Sequence, residues 1–173
     1  MAAERSPDFD LAAVYAALDA QRQARGLTWQ QTMKEINGSF GRTPNRPIST
    51  STVTSMRTKS VAEGDGVLQM LRWLDRSPES FIPGHRETSE ERLPPVRPNQ
   101  VLRFDTRKLH AALDARRVER RMTWKEVAGE IGGTGASSLT HLSRGGRTGF
   151  PFVARIAAWL GRPVADFTRV ADW

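Results

Sequence analysis

The sequence predicts an all-α protein built from two tandem five-helix domains, and three observations predict it. The first is an internal repeat. Phe9-Asp10 followed by AALDAQRQARGLTW returns as Phe104-Asp105 followed by AALDARRVERRMTW, and Trp29 falls on Trp124 at an offset of 95. A repeat of this kind decides the architecture before any single helix does. The second copy then loses nine residues, after which Val53 falls on Leu139, Met56 on Leu142, Trp73 on Trp159, Leu74 on Leu160 and Phe81 on Phe167, all at an offset of 86. The second observation is helical spacing of apolar residues within each copy, and the third is a matched set of helix-start signals. A chain of 173 residues accommodates two units of roughly 70–80 residues, which is enough for each to fold.

In the first helix Asp10 is the expected N-cap, Leu11, Val14, Tyr15 and Leu18 form one apolar stripe, and Gly26 closes the element. Asp105, Leu109 and Leu113 repeat the plan. The second helix opens in both copies with a capping box, Thr28-x-x-Gln31 and Thr123-x-x-Glu126, in which hydroxyl and side chain satisfy free amides reciprocally. A third helix is expected over Thr50 to Lys59 and Ala136 to Arg144, with Val53 and Met56, or Leu139 and Leu142, inward. A fourth carries Val67, Met70, Leu71 and Leu74, or Val153, Ile156, Ala157 and Leu160. A short fifth ends on Phe81 or Phe167. The domains are thus 1–81, with an insertion at 37–49, and 101–173. Between them residues 82–100 read as an exposed linker, rich in proline and mixed charge.

Composition narrows the function classes. Cysteine is absent, which removes disulfides, thiolate catalysis and Cys-based zinc sites. His85, His110 and His141 sit in different segments without carboxylates at ligand spacing, so no metal and no cofactor is expected. No apolar run is long enough to span a membrane, and MAAERSPDFD lacks a secretory signal, which places the chain in the cytoplasm, on the nucleoid if the source is bacterial. The net charge of +7 suits a polyanionic partner. Residues 1–80 carry 10 basic and 9 acidic side chains, whereas residues 96–173 carry 14 and 7, so the excess lies in the second half.

The second copy reads MTWKEVAGEIGG, ASSLTHLSRGGR and FPFVARIAAWLGRPVADF. This order, a capped helix with Ala128 at its middle, Ile131 and a glycine turn, a helix built on Leu139 and Leu142 ending in Arg144-Gly145, and a helix ending in Leu160-Gly161, resembles the helix-turn-helix domain of the Cro and phage-repressor (Xre-like, lambda-repressor-like) superfamily. The likeness covers most of both copies. It implies double-stranded DNA as the partner, with the third helix of each copy in the major groove and the second across the backbone.

Short polar side chains at the start of a groove-facing helix can read base edges, and cations beside them can meet phosphates. The base-reading candidates are Ser51, Thr52, Thr54 and Ser55 in the first copy, and Ser137, Ser138, Thr140 and His141 in the second. The phosphate candidates are Arg57, Lys59, Arg117, Arg121, Lys125, Arg144 and Arg147. A Ser/Thr cluster also marks an ordinary cap and solvated face; the resemblance favours readout. Arg116, Arg117, Arg120 and Arg121 crowd one helix flank, where they either await a polyphosphate or form a solvated charged face.

Three departures stand out. Trp29 and Trp124 occupy a position where many members of the superfamily carry glutamine, and are expected to pack. Thr32 and Met33 replace an apolar and a small residue. The insertion NGSFGRTPNRPIS, with Arg42 and Arg46, is either an arm toward a groove or an inert surface addition, the latter favoured. The expected function is a sequence-specific transcriptional regulator with two linked recognition helices, not an enzyme, since no nucleophile with a base, carboxylate cluster or phosphate loop is present. The alternative is an antitoxin-like adaptor that binds a protein through one or both units, most credibly the first.

Overall fold

The computed structural model describes residues 8–38 and 47–172. Arg42, Arg46 and most of the insertion lie outside the described residues. In the first copy Asp10 caps α1 (Leu11–Ala24) by accepting the Ala13 N–H, and the chain leaves through Gly26 at φ +65°. The Thr28–Gln31 capping box opens α2 (Trp29–Asn37). Then come α3 (Thr50–Ser55), β1 (Ala62–Glu63), α4 (Gly64–Leu74) and a 3-10 turn at Pro78–Phe81. The second copy runs β2 (Gln100–Phe104), α5 (Thr106–Glu119), α6 (Trp124–Ile131), α7 (Ala136–His141) with a 3-10 extension over Leu142–Arg144, β3 (Gly149–Phe150), α8 (Phe152–Leu160), a 3-10 turn at Val164–Phe167 and β4 (Thr168–Asp172). Among the described residues no helix is long and apolar enough to cross a membrane.

The expectation of an all-α protein is overturned: 58% of the structure is helical and 9% is strand, in two small antiparallel sheets. One sheet joins the two copies, and the other joins the two ends of the second copy. β1 pairs with β3, with Ala62 opposite Phe150 and Glu63 opposite Gly149. The Gly64 N–H extends the pairing to the Thr148 carbonyl at 2.7 Å. β2 pairs with β4 from Gln100 opposite Asp172 to Phe104 opposite Thr168. β1 and β3 are two residues long and carry no readable alternation, and the partners in both sheets are so far apart in the chain that they leave no local signal.

The third helices are shorter than their sequence spacing suggests, ending at Ser55 and His141 instead of Lys59 and Arg144. The hydroxyls of Thr54, Ser55 and Thr58 donate to the carbonyls of Ser51, Thr52 and Ser55, three residues back. In the second copy Thr140 and Ser143 do the same to Ser137 and Thr140. Such side-chain bonds compete with the helical ladder and tighten the chain into 3-10 geometry.

A single hydrophobic cluster runs through both copies. At its centre the Phe150 ring lies 4.6 Å from that of Phe9 and 5.2 Å from that of Phe104, and Phe9 also meets Phe81 at 6.1 Å. These rings tie the entry to α1, the 3-10 turn at Pro78–Phe81, β2 and β3 together, so each copy completes the core of the other.

Helix α4 is buried along nearly its whole length, including Asp65 and Gln69. Buried polar groups need partners, and these two find theirs on β2. Asp65 accepts the Phe104 N–H at 2.9 Å and the Arg103 guanidinium at 3.2 Å. The Gln69 amide donates to the Leu102 carbonyl at 2.7 Å and the Asp65 carbonyl at 3.0 Å. The edge of β2 turned away from β4 is thereby closed by side chains of the first copy. The segment 82–100 also takes part. It contains a 3-10 turn at Ser89–Glu91, Glu91 is buried, and Ile82, Leu93 and Val96 pack partly against the shared core.

Candidate nucleic-acid interface

The turn between α6 and α7 depends on two glycines. Gly132 and Gly133 adopt φ of +76° and +66°, and a Cβ on Gly133 would approach Arg155 Nη1 at 2.8 Å. Leu139 and Leu142 anchor α7 in the core, each less than a tenth exposed. That leaves Ser137, Ser138 and His141 on the exposed side, with Thr140 half-buried. In the first copy Val53 and Met56 anchor α3, Ser51 and Thr52 are exposed, and Thr54 and Ser55 are half-buried.

The two candidate reading helices differ in how their hydroxyls are used. Ser49 caps α3, and its hydroxyl lies 2.8 Å from that of Ser51 and 3.0 Å from that of Thr52. Thr54 and Ser55 donate to carbonyls of the same helix. All four base-reading candidates of the first copy are therefore engaged locally. Of the four candidates in the second copy, only Thr140 donates in this way among the described residues, to Ser137. Helix α7 has Gly135 as its N-cap with no capping side chain, and the side chains of Ser137, Ser138 and His141 have no hydrogen-bond partner among the described residues.

The cations divide similarly. Arg117 bonds Asp114 at 2.7 Å, donates to the Met122 carbonyl at 3.0 Å and lies 5.0 Å from the Trp124 ring. Arg22 makes the corresponding contacts with Asp19, Leu27 and Trp29. Each tryptophan is half-buried and stacks on an α1 or α5 side chain, Trp29 on Tyr15 and Trp124 on His110. Arg57 lies over Tyr15 at 5.6 Å. Arg147 sits near Glu63, whose carboxyl is pushed above its ordinary range by burial while the Arg147 charge opposes the shift. Arg121, Lys125 and Lys59 are exposed, and so is Arg144, whose carbonyl accepts from Arg107. Arg121 has a backbone φ of +53° at the position where the first copy has Gly26.

The arginine flank of α5 is not a set of unrelieved like charges. Arg116 donates to the Leu160 carbonyl at 3.2 Å, and Arg120 makes a two-point contact with Glu130 at 2.6 and 2.9 Å. The Trp159 indole donates to the same carboxylate at 2.8 Å. The first copy repeats the device, with Arg25 and Trp73 both donating to Glu35. These hydrogen bonds, chiefly those from the arginines, hold the Glu35 and Glu130 carboxyls below their ordinary range. This Arg-Glu-Trp clamp was missed in the sequence, although a signal was present: all three polar residues keep their identity at the repeat offsets.

The insertion is closed at its base by Asn37, whose amide donates to the Ile48 carbonyl and accepts the Ile48 N–H at 2.9 and 2.7 Å. Among the described residues no three His, Asp or Glu side chains gather as metal ligands. Compared with protein-family models, curated proteins and solved structures, the chain matches none.

Proposed function

We propose that the chain is a sequence-specific double-stranded-DNA-binding protein, a transcriptional regulator of the Xre-like helix-turn-helix kind that works in the cytoplasm by binding rather than catalysis. Its two units act as a covalent pseudo-dimer. The observation that carries this reading is the pairing of Glu63 with Gly149, which are 86 residues apart, the same offset that relates the two copies. Equivalent residues facing each other mark a local two-fold relation, and DNA-reading dimers present their helices to half-sites through such a relation. The second unit is the stronger reader, because Ser137, Ser138 and His141 keep their hydrogen-bonding capacity and Arg121, Lys125 and Arg144 are exposed in the same copy. The preferred site is accordingly asymmetric.

Fluorescence anisotropy of the whole chain with random and then selected duplex DNA across a salt series tests this. Each phosphate contact contributes about 0.9 to the slope of log affinity against log salt. Replacing Ser137, Ser138 and His141 together with alanine is expected to abolish preference among sequences while leaving salt-dependent binding. Unchanged preference would remove α7 as the reader.

A second reading applies to the first unit. Its reading-helix hydroxyls are engaged locally and its charge is nearly balanced, which suits a protein surface better than a polyanion. Partner binding that is insensitive to salt and lost on changing α3 would support that role.

A further inference from the structure

On the side of the connecting segment, a cleft of about 370 Å³ opens between the two copies. Glu79 of the first copy and Glu90 and Glu91 of the connecting segment line one part, and Ala154, Ala157 and Val164 of the second copy form an apolar floor. Glu79 is 6% exposed. Its Oε1 accepts the Val164 N–H at 2.6 Å, while Oε2 has no hydrogen-bond partner among the described residues. The equivalent position in the second copy is Ala165, so the repeat does not require a carboxylate here.

Among the described residues no cation bonds Glu79, and the opposing charge of His85 acts on it less than burial does. Arg162 also lines the cleft, but it bonds Asp166 at 3.0 Å and lies over Phe167. His85 is engaged with Glu91 at 2.6 Å, and the second Glu91 oxygen accepts the Thr88 N–H. Burial first, with the nearby Glu91 charge adding to it, pushes the Glu79 carboxyl above its ordinary range. What the site lacks is a cationic donor. A hydrated metal ion suits it poorly, because the floor is apolar and no three ligands converge among the described residues. An ammonium group on a short methylene chain fits both halves: it donates hydrogen bonds to a carboxylate and needs no donor in return, and its carbons can lie on the alanine floor.

We propose that this cleft is a binding site for a small aliphatic diamine, with one ammonium group neutralising Glu79 and the chain covering Ala154 and Ala157. The protein as a whole carries +7, so general electrostatics repel such a ligand and saturable binding reports the local site. Isothermal titration of the full chain with putrescine, paired with thermal unfolding, provides the test. Saturable one-to-one binding and a midpoint that rises with putrescine are expected. Glu79→Gln should weaken the affinity about tenfold or more, the scale of one hydrogen bond to a charged group. Ala158→Leu, which narrows the cleft from an exposed helix position without altering Glu79, should weaken it as well. Glu87→Gln, on the same connecting segment but outside the cleft, should bind like the parent, and circular dichroism checks that each variant is folded. Absence of heat and of a midpoint shift in the parent chain would overturn the proposal. So would equal binding by the Glu79 and Glu87 variants.

Discussion

Glu63 and Gly149 face each other across the antiparallel pair of β1 and β3, and each is the other's counterpart in the repeat. Their neighbours break the symmetry in a complementary way. Gly64 in the first copy corresponds to Phe150 in the second, and a Cβ on Gly64 would lie 2.8 Å from both the Phe104 ring and the Thr148 carbonyl. One small and one large residue let the two copies close together over Phe9 and Phe104. Two identical copies could not supply this fit.

Gly64→Ala is therefore expected to destabilise the whole protein by about 1–3 kcal/mol, the usual cost of overpacking a closed core. Gly129→Ala is its counterpart. That glycine lies on the exposed face of α6 with nothing within 4 Å of an added Cβ, so the change should stabilise by up to about 1 kcal/mol through helix propensity. Urea unfolding of both variants checks the contrast, and destabilisation by both would contradict the packing argument.

Arg121 occupies a left-handed backbone position, φ +53°, that the first copy fills with Gly26. A side chain there costs about 1 kcal/mol or more. Arg121→Gly should raise stability by about 1 kcal/mol. If Arg121 meets a phosphate, the same change should reduce the salt slope of DNA binding by about one unit. Thermal unfolding and anisotropy on one preparation read both effects. A stability gain without any loss of DNA affinity would leave the strained arginine without a role at the interface.

The Arg-Glu-Trp clamps make a prediction about acid. Glu35 and Glu130 are held below the ordinary carboxylate value of 4.5, first by Arg25 and Arg120 and then by the indoles of Trp73 and Trp159. A folded-state pKa below the unfolded one means that their contribution is present above the unfolded value. It is lost as pH falls through the lower folded value. The double variant Glu35→Gln/Glu130→Gln should be less stable than the parent at neutral pH and approach it in strong acid. Denaturant midpoints measured from neutral to strongly acidic pH check this, and parallel curves would mean that the clamps contribute nothing through their charge.

The sequence determined the repeat, the order of the helices, both capping boxes and the inward residues of each helix, because these depend on spacing within about a dozen neighbours. Leu11, Val14 and Leu18 are buried as their stripe requires, and Asp10 and Asp105 cap the helices they precede. It also carried a hint of more: Asp65 and Gln69 stand four residues apart in a helix whose other polar side chain is Arg72, and they point to something polar on that face. Only the tertiary structure decided what that was. The edge of β2, the pairing of β1 with β3 and the closing of Glu79 on Val164 all join residues between 33 and 88 positions apart. Strands this short gain their hydrogen bonds from a distant partner rather than from their own pattern, so nothing local could reveal them. The same holds for the candidate interface. Residue types placed Ser51 and Ser137 in equivalent helices, but only the fold decided which hydroxyls are held by their own helix and which remain open to a ligand.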